Sequence, residues 1–127
     1  MEYHFKTVPH SEQRYNTCGD YFEVDGIQNF RVSDLGNDDY HFLVLIHEMI
    51  EQYLTMKRNI SEESITAFDV KFEQERLNGL HSPDEEPGFA TDCPYAKEHF
   101  FAETIERLLA HELSIHWDTY NKSVLEL

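Results

Sequence analysis

Side chains four residues apart lie on one face of an α-helix, so an imidazole and a carboxylate at that spacing can bring two metal-ligating atoms to one point. Three acid-bearing pairs in the chain have this spacing: His47 with Glu51, Asp69 with Glu73, and His99 with Glu103. Histidine nitrogen and carboxylate oxygen together suit a divalent ion such as zinc, manganese or iron. The spacing predicts a metal site between two helices, held by His47, Glu51, His99 and Glu103. Asp69 is an outer or additional ligand in this reading, and Glu48 is the general base if the site is hydrolytic.

The segment His47-Glu48-Met49-Ile50-Glu51 resembles the HExxH helix of the zincin metallopeptidases, in which two histidines bind zinc and the intervening glutamate activates water. The resemblance covers five residues, and Glu51 stands where the second histidine belongs. It implies His47 and Glu51 as ligands and Glu48 as base. Glu48 and Glu51 also match the ExxE half of the all-α nucleotide pyrophosphohydrolases, but no ExxD partner follows. The Glu-x-x-His pairs of di-metal carboxylate bundles are missing as well.

The same residues allow a plainer reading. At about 100° per residue, His47, Glu48, Glu51, Thr55 and Arg58 fill one polar wedge, as a solvent-facing strip also would. In the third helix, His99, Glu103 and Glu106 form a stripe beside Ala96, Ala102 and Ala110, small residues that let another helix approach. The alternative there is an exposed acidic ridge, with Arg107 pairing Glu103 and Glu106 in solvent. Asp69 neighbours the apolar Ile65 and Phe72, where a carboxylate needs a partner or a metal. His81 and the run Asp84-Glu85-Glu86 read as a solvated loop.

Tyr3 and Phe5 alternate with polar residues before Pro9, a pattern for a short strand. Tyr21–Val24 and Ile27–Val32 flank Asp25-Gly26, a strong two-residue hairpin signal. Residues 38–57 lack Gly and Pro and predict a largely apolar helix. Ser61 caps a second helix reaching Leu77, stopped by Asn78-Gly79. A third helix runs from near Pro94 to Leu113, with Phe101, Ile105, Leu108 and Leu109 inward. The tail after Ser114 holds a short turn that packs Trp117 and Tyr120, and residues 79–93 form a long loop. These elements predict one α+β domain over residues 1–127: a small N-terminal antiparallel sheet (β-rich 1–35) packed on about three helices (helical 38–127).

Twenty-five acidic residues against ten basic ones give a formal charge of −15, which disfavours direct binding to nucleic acid or to an anionic membrane. Acidity also fits a rival class, a non-enzymatic module that engages a basic protein partner or mimics nucleic acid. Two cysteines, Cys18 and Cys93, without CxxC spacing, fit a reducing cytoplasm. A homodimer through the aromatic residues of the third helix is a further arrangement. Over about residues 19–117, the pattern GDYF, DG, FRVSDLG, FLVLIHEMIE, ITAFD and CPYAKEH is similar to small uncharacterised proteins of bacteriophages and mobile gene cassettes. That resemblance implies an accessory protein and supplies no site residues.

Overall fold

Asp25 and Gly26 both adopt positive φ, 51° and 79°, the backbone of the two-residue turn that suits twisted antiparallel strands. They join β2 (Gly19–Val24) to β3 (Ile27–Ser33), which pair with Val24 opposite Ile27 and Gly19 opposite Val32. In this computed structural model, which describes residues 1–127, β1 (Glu2–Val8) completes the sheet on the other side of β3. β1 runs parallel to β3, with Phe5 opposite Phe30, so the antiparallel expectation holds for the hairpin and not for β1. Alternation marks a strand without stating its direction.

Four helices follow: α1 (Asp38–Lys57), α2 (Glu62–Leu77), α3 (Ala96–Glu112) and α4 (Trp117–Leu125). The Asn37 side chain caps α1 by accepting from the Tyr40 amide at 3.2 Å, and Ser61 caps α2 by accepting from the Ser64 amide at 3.1 Å. The tail forms a full helix rather than a turn, and it buries Tyr120 against Val32, Leu43, Val44 and Ala110. A second core group joins Tyr21 and Phe30 of the sheet to Ile65 of α2 and Tyr95 at the start of α3. No helix is long and apolar enough to cross a membrane.

The two central helices present their polar faces to each other. On α1, His47, Glu51 and Thr55 are buried, whereas Phe42 and Tyr53 are 44% and 49% exposed. The polar wedge from His47 to Thr55 is therefore an interior face, and only its Arg58 end is exposed. On α3 the expected inward stripe is displaced: Phe101 and Leu108 are half exposed or more, and His99, Ala102, Glu106 and Ala110 are buried. The alanines make the close approach possible, and the polar side chains between them are matched to partners. Burying carboxylates and imidazoles is unfavourable unless each finds a partner, so these side chains must be paired across the interface.

Candidate metal centre

α1 presents His47 and Glu51 one turn apart, and α3 brings His99 up to them. His47 Nε2 lies 3.2 Å from Glu51 Oε2 and 3.2 Å from His99 Nδ1, and His99 Nδ1 lies 3.0 Å from Glu51 Oε2. The point equidistant from these three atoms is about 1.8 Å from each, so an ion about 1 Å above their plane meets all three at roughly 2.1 Å. Edges of 3.0–3.2 Å fall between those of an octahedral and a tetrahedral ion with bonds of that length, about 3.0 and 3.4 Å.

The protons tell the same story. His47 Nδ1 lies 2.6 Å from Glu106 Oε1, and a carboxylate only accepts, so Nδ1 carries the proton. In the neutral ring, Nε2 then points a lone pair at the Glu51 oxygen and at His99. The lone pairs of His47 Nε2 and Glu51 Oε2 repel at that point unless a proton, from His47 or from His99 Nδ1, or a cation lies between them. Burial disfavours a His47 cation, but the hydrogen bonds and charges of Glu106 and Glu51 outweigh burial and raise its pKa well above the usual value. For Glu51, burial is outweighed by hydrogen bonds from His47 and His99, and its pKa falls to about 2. Without a metal, protons hold the cluster together; a divalent ion would replace them.

The residues around the trio fix its orientation. Glu106 also accepts from the Tyr120 hydroxyl at 2.5 Å, and Tyr21 donates to the second Glu51 oxygen at 2.9 Å. A carboxylate behind a ligating imidazole is the usual device for fixing tautomer and ring angle. His99 Nε2 is buried without a hydrogen-bond partner, and its nearest acid, Glu86 Oε1, is 3.9 Å away. Glu86 belongs to the loop between α2 and α3, whose Gly88 packs closely against the His99 ring. A Cβ on Gly88 would fall 2.3 Å from ring carbons. Arg76 pins that loop by donating to the carbonyls of Ser82 and Glu85 at 2.6 and 2.5 Å.

The trio faces a cavity of about 200 Å³ lined by ten carboxylates and one guanidinium, Arg76. Glu48 lines it beside Gly19, where any Cβ would come within 2.6 Å of a Glu48 oxygen. Burial, and then the charge of Glu51, push Glu48 well above the usual carboxylate range. Asp20 is neutralised by a two-pronged ion pair with Arg14, 2.7 and 2.8 Å. Asp69 does not join the ligand trio: it accepts from Tyr95 at 2.5 Å and from Tyr15 at 3.0 Å. Burial raises its pKa to about 7 against those hydrogen bonds.

Glu103 also stands apart. It pairs with Arg107 at 3.5 Å and, with Glu86 and His99, outlines a second group of candidate ligands at the rim. A neutral imidazole coordinates through one nitrogen, so His99 serves the inner trio through Nδ1 or the rim group through Nε2. The inner trio has edges of 3.0–3.2 Å, against 3.9 Å from His99 Nε2 to Glu86, and the more buried members. Cys18 and Cys93 are free thiols, and burial pushes both to about 12, which keeps them protonated near neutrality and unsuited to nucleophilic attack. Of the six candidate site residues read from the sequence, His47, Glu51 and His99 converge, Glu48 lines the same cavity, and Glu103 and Asp69 lie outside the trio. Spacing did not mark Glu106 or Glu86 as site residues; the Glu106 signal was its place three residues past Glu103 on the alanine-flanked stripe.

The site defines an α+β protein with a two-histidine, one-carboxylate cluster at a helix–helix interface. No protein family, curated protein or solved structure matches the chain.

Proposed function

We propose that the protein is a divalent-metal hydrolase whose ion is held by His47 Nε2, Glu51 Oε2 and His99 Nδ1. The observation that carries this reading is the convergence of three potential ligand atoms, with edges of 3.0–3.2 Å, at the wall of an acidic cavity. Three protein ligands leave positions for water and substrate, as catalytic zinc sites do and closed structural sites do not. An ion held there would act as a Lewis acid and, if zinc, would lower the pKa of a coordinated water toward about 7.

The chain's own residues take the remaining roles. Glu106 holds the His47 tautomer, with Tyr120 fixing Glu106 in turn. Glu48 is the proton acceptor: its carboxyl lines the cavity, and a cation beside it would favour the ionised form that a base requires. Asp69, with Tyr15 and Tyr95, lines the same cavity, and at a pKa of about 7 it can give or take a proton near neutrality.

The test is metal analysis of the chain purified without a histidine tag, followed by hydrolysis assays on ester, peptide and phosphoester panels with zinc, manganese or iron. One bound ion per chain and turnover abolished by chelation support the proposal. An unbound chain with no thermal shift on adding any of the three metals overturns it. In that case the rival, an acidic module for a basic partner, is tested by salt-sensitive capture. The same donor set also serves non-haem iron enzymes, so iron uptake with oxygen-dependent turnover would retain the centre and replace the reaction class.

A further inference from the structure

The strand order β1-β3-β2 leaves one side of β1 unpaired. From Glu2 to Thr7 every residue of the strand is exposed, and neither proline nor bulge interrupts it. Such an edge invites pairing with another strand unless something blunts it.

The direction of its free main-chain groups follows from one hydrogen bond. The Asp34 amide donates to the Val8 carbonyl at 2.8 Å, so Val8 aims its main-chain groups at β3. By alternation Lys6, His4 and Glu2 do the same, and Thr7, Phe5 and Tyr3 aim theirs outward. Meanwhile the strand reads acid, aromatic, histidine, aromatic, base from Glu2 to Lys6. Reversed, the order matches itself with opposite charges facing.

We propose that two copies of the chain pair antiparallel through β1 about a two-fold axis at His4, forming one continuous six-stranded sheet. Glu2 then faces the partner's Lys6, Tyr3 faces the partner's Phe5, and His4 faces the partner's His4. In an antiparallel ladder, the residues that exchange hydrogen bonds must both point outward, and Tyr3 and Phe5 are the two that do. The register demanded by charge is thus the register allowed by the backbone. The two Tyr3–Phe5 pairs supply four main-chain hydrogen bonds, and the facing ion pairs and aromatic pairs add cross-strand side-chain contacts.

The side chains support the same partner. Tyr3 and Phe5 stack on Phe30 at centroid distances of 6.2 and 5.3 Å, continuing the buried aromatic layer out to the edge, where they are 42% and 48% exposed. Beside them the outward face of α1 forms an apolar groove lined by Ile46, Met49, Ile50, Tyr53 and Leu54. The partner's Tyr3 and Phe5 extend the layer on that side of the sheet, over the groove. A self-complementary patch of this kind is what a two-fold interface requires.

Light scattering and sedimentation of the wild-type chain at about 100 μM, ample for a micromolar dimer, should give twice the chain mass. Glu2→Lys places Lys against Lys and Lys6→Glu places Glu against Glu, so each alone should be monomeric with an unchanged far-UV CD spectrum. An equimolar mixture of the two single variants should dimerise, because the chains then complement each other, and the double reversal Glu2→Lys/Lys6→Glu should dimerise alone. A monomeric wild type, single variants that stay dimeric, or a mixture that stays monomeric overturns the proposal. A dimer through the exposed aromatics of α3 would be blind to these charge swaps.

Discussion

Glu106→Gln tests the proton arrangement on which the proposed metal site depends. The substitution keeps size and shape, leaves His47, Glu51 and His99 untouched, and removes the charge of the acceptor behind the His47 ring. The present bond is short, 2.6 Å, and charge-assisted; such bonds are worth about 1.5–3 kcal/mol, against about 0.5–1.5 for a neutral pair. The loss is therefore about 1–2 kcal/mol per ion bound, or roughly 5–30-fold in affinity, near the lower part of the 10–100-fold range typical of outer-shell partners. Zinc affinity should be measured by competition with a chromophoric chelator, beside thermal melts of the metal-free chain. Tyr120→Phe is the companion: it removes the 2.5 Å hydroxyl donor but leaves the carboxylate, and should weaken binding less than Glu106→Gln does. An affinity within about twofold of wild type in Glu106→Gln would refute the orienting role assigned to Glu106. A loss as complete as that of His47→Ala would instead make Glu106 a ligand.

Glu48→Gln should lower turnover by about 10²–10⁴-fold while metal stoichiometry stays unchanged, as read by parallel kinetics and metal analysis. Gly88→Ala puts a methyl where the His99 ring lies, 2.3 Å from its carbons, so metal affinity should fall, with the displaced ring visible in the histidine NMR signals. Asp69 binds its proton more tightly folded, at about 7, than unfolded, at 3.8, so its contribution to metal-free stability is present in acid and lost as pH rises from about 4 to about 7. In Asp69→Asn the fall in urea-unfolding free energy across that window should shrink by no more than a few kcal/mol. An unchanged slope would remove Asp69 as the titrating group.

The helix limits were legible because their signals are local. Asn37 and Ser61 cap the helices that spacing placed after them, and the uninterrupted run to Lys57 is α1 as observed. The Asp25-Gly26 turn was equally plain. Helical spacing also singled out His47, Glu51 and His99. Which face pointed inward was not legible, because the wedge containing His47, Glu51 and Thr55 looks the same whether it meets solvent or another helix. What decides it lies far away in sequence: the Glu106 carboxylate 59 residues beyond His47, and the Tyr21 hydroxyl 30 residues before Glu51. Asp69 was read as an outer or additional ligand because it sits among apolar neighbours, and in the structure its carboxylate accepts from Tyr15 and Tyr95, one on a loop before β2 and one at the α3 terminus. The parallel direction of β1 likewise depends on a register that no local pattern encodes.

Anomalous diffraction from crystals grown with zinc tests the central claim most directly. The expected result is one strong peak per chain, about 2.1 Å from His47 Nε2, Glu51 Oε2 and His99 Nδ1. A peak at the rim between Glu86 and Glu103, or no peak near His47, would contradict it.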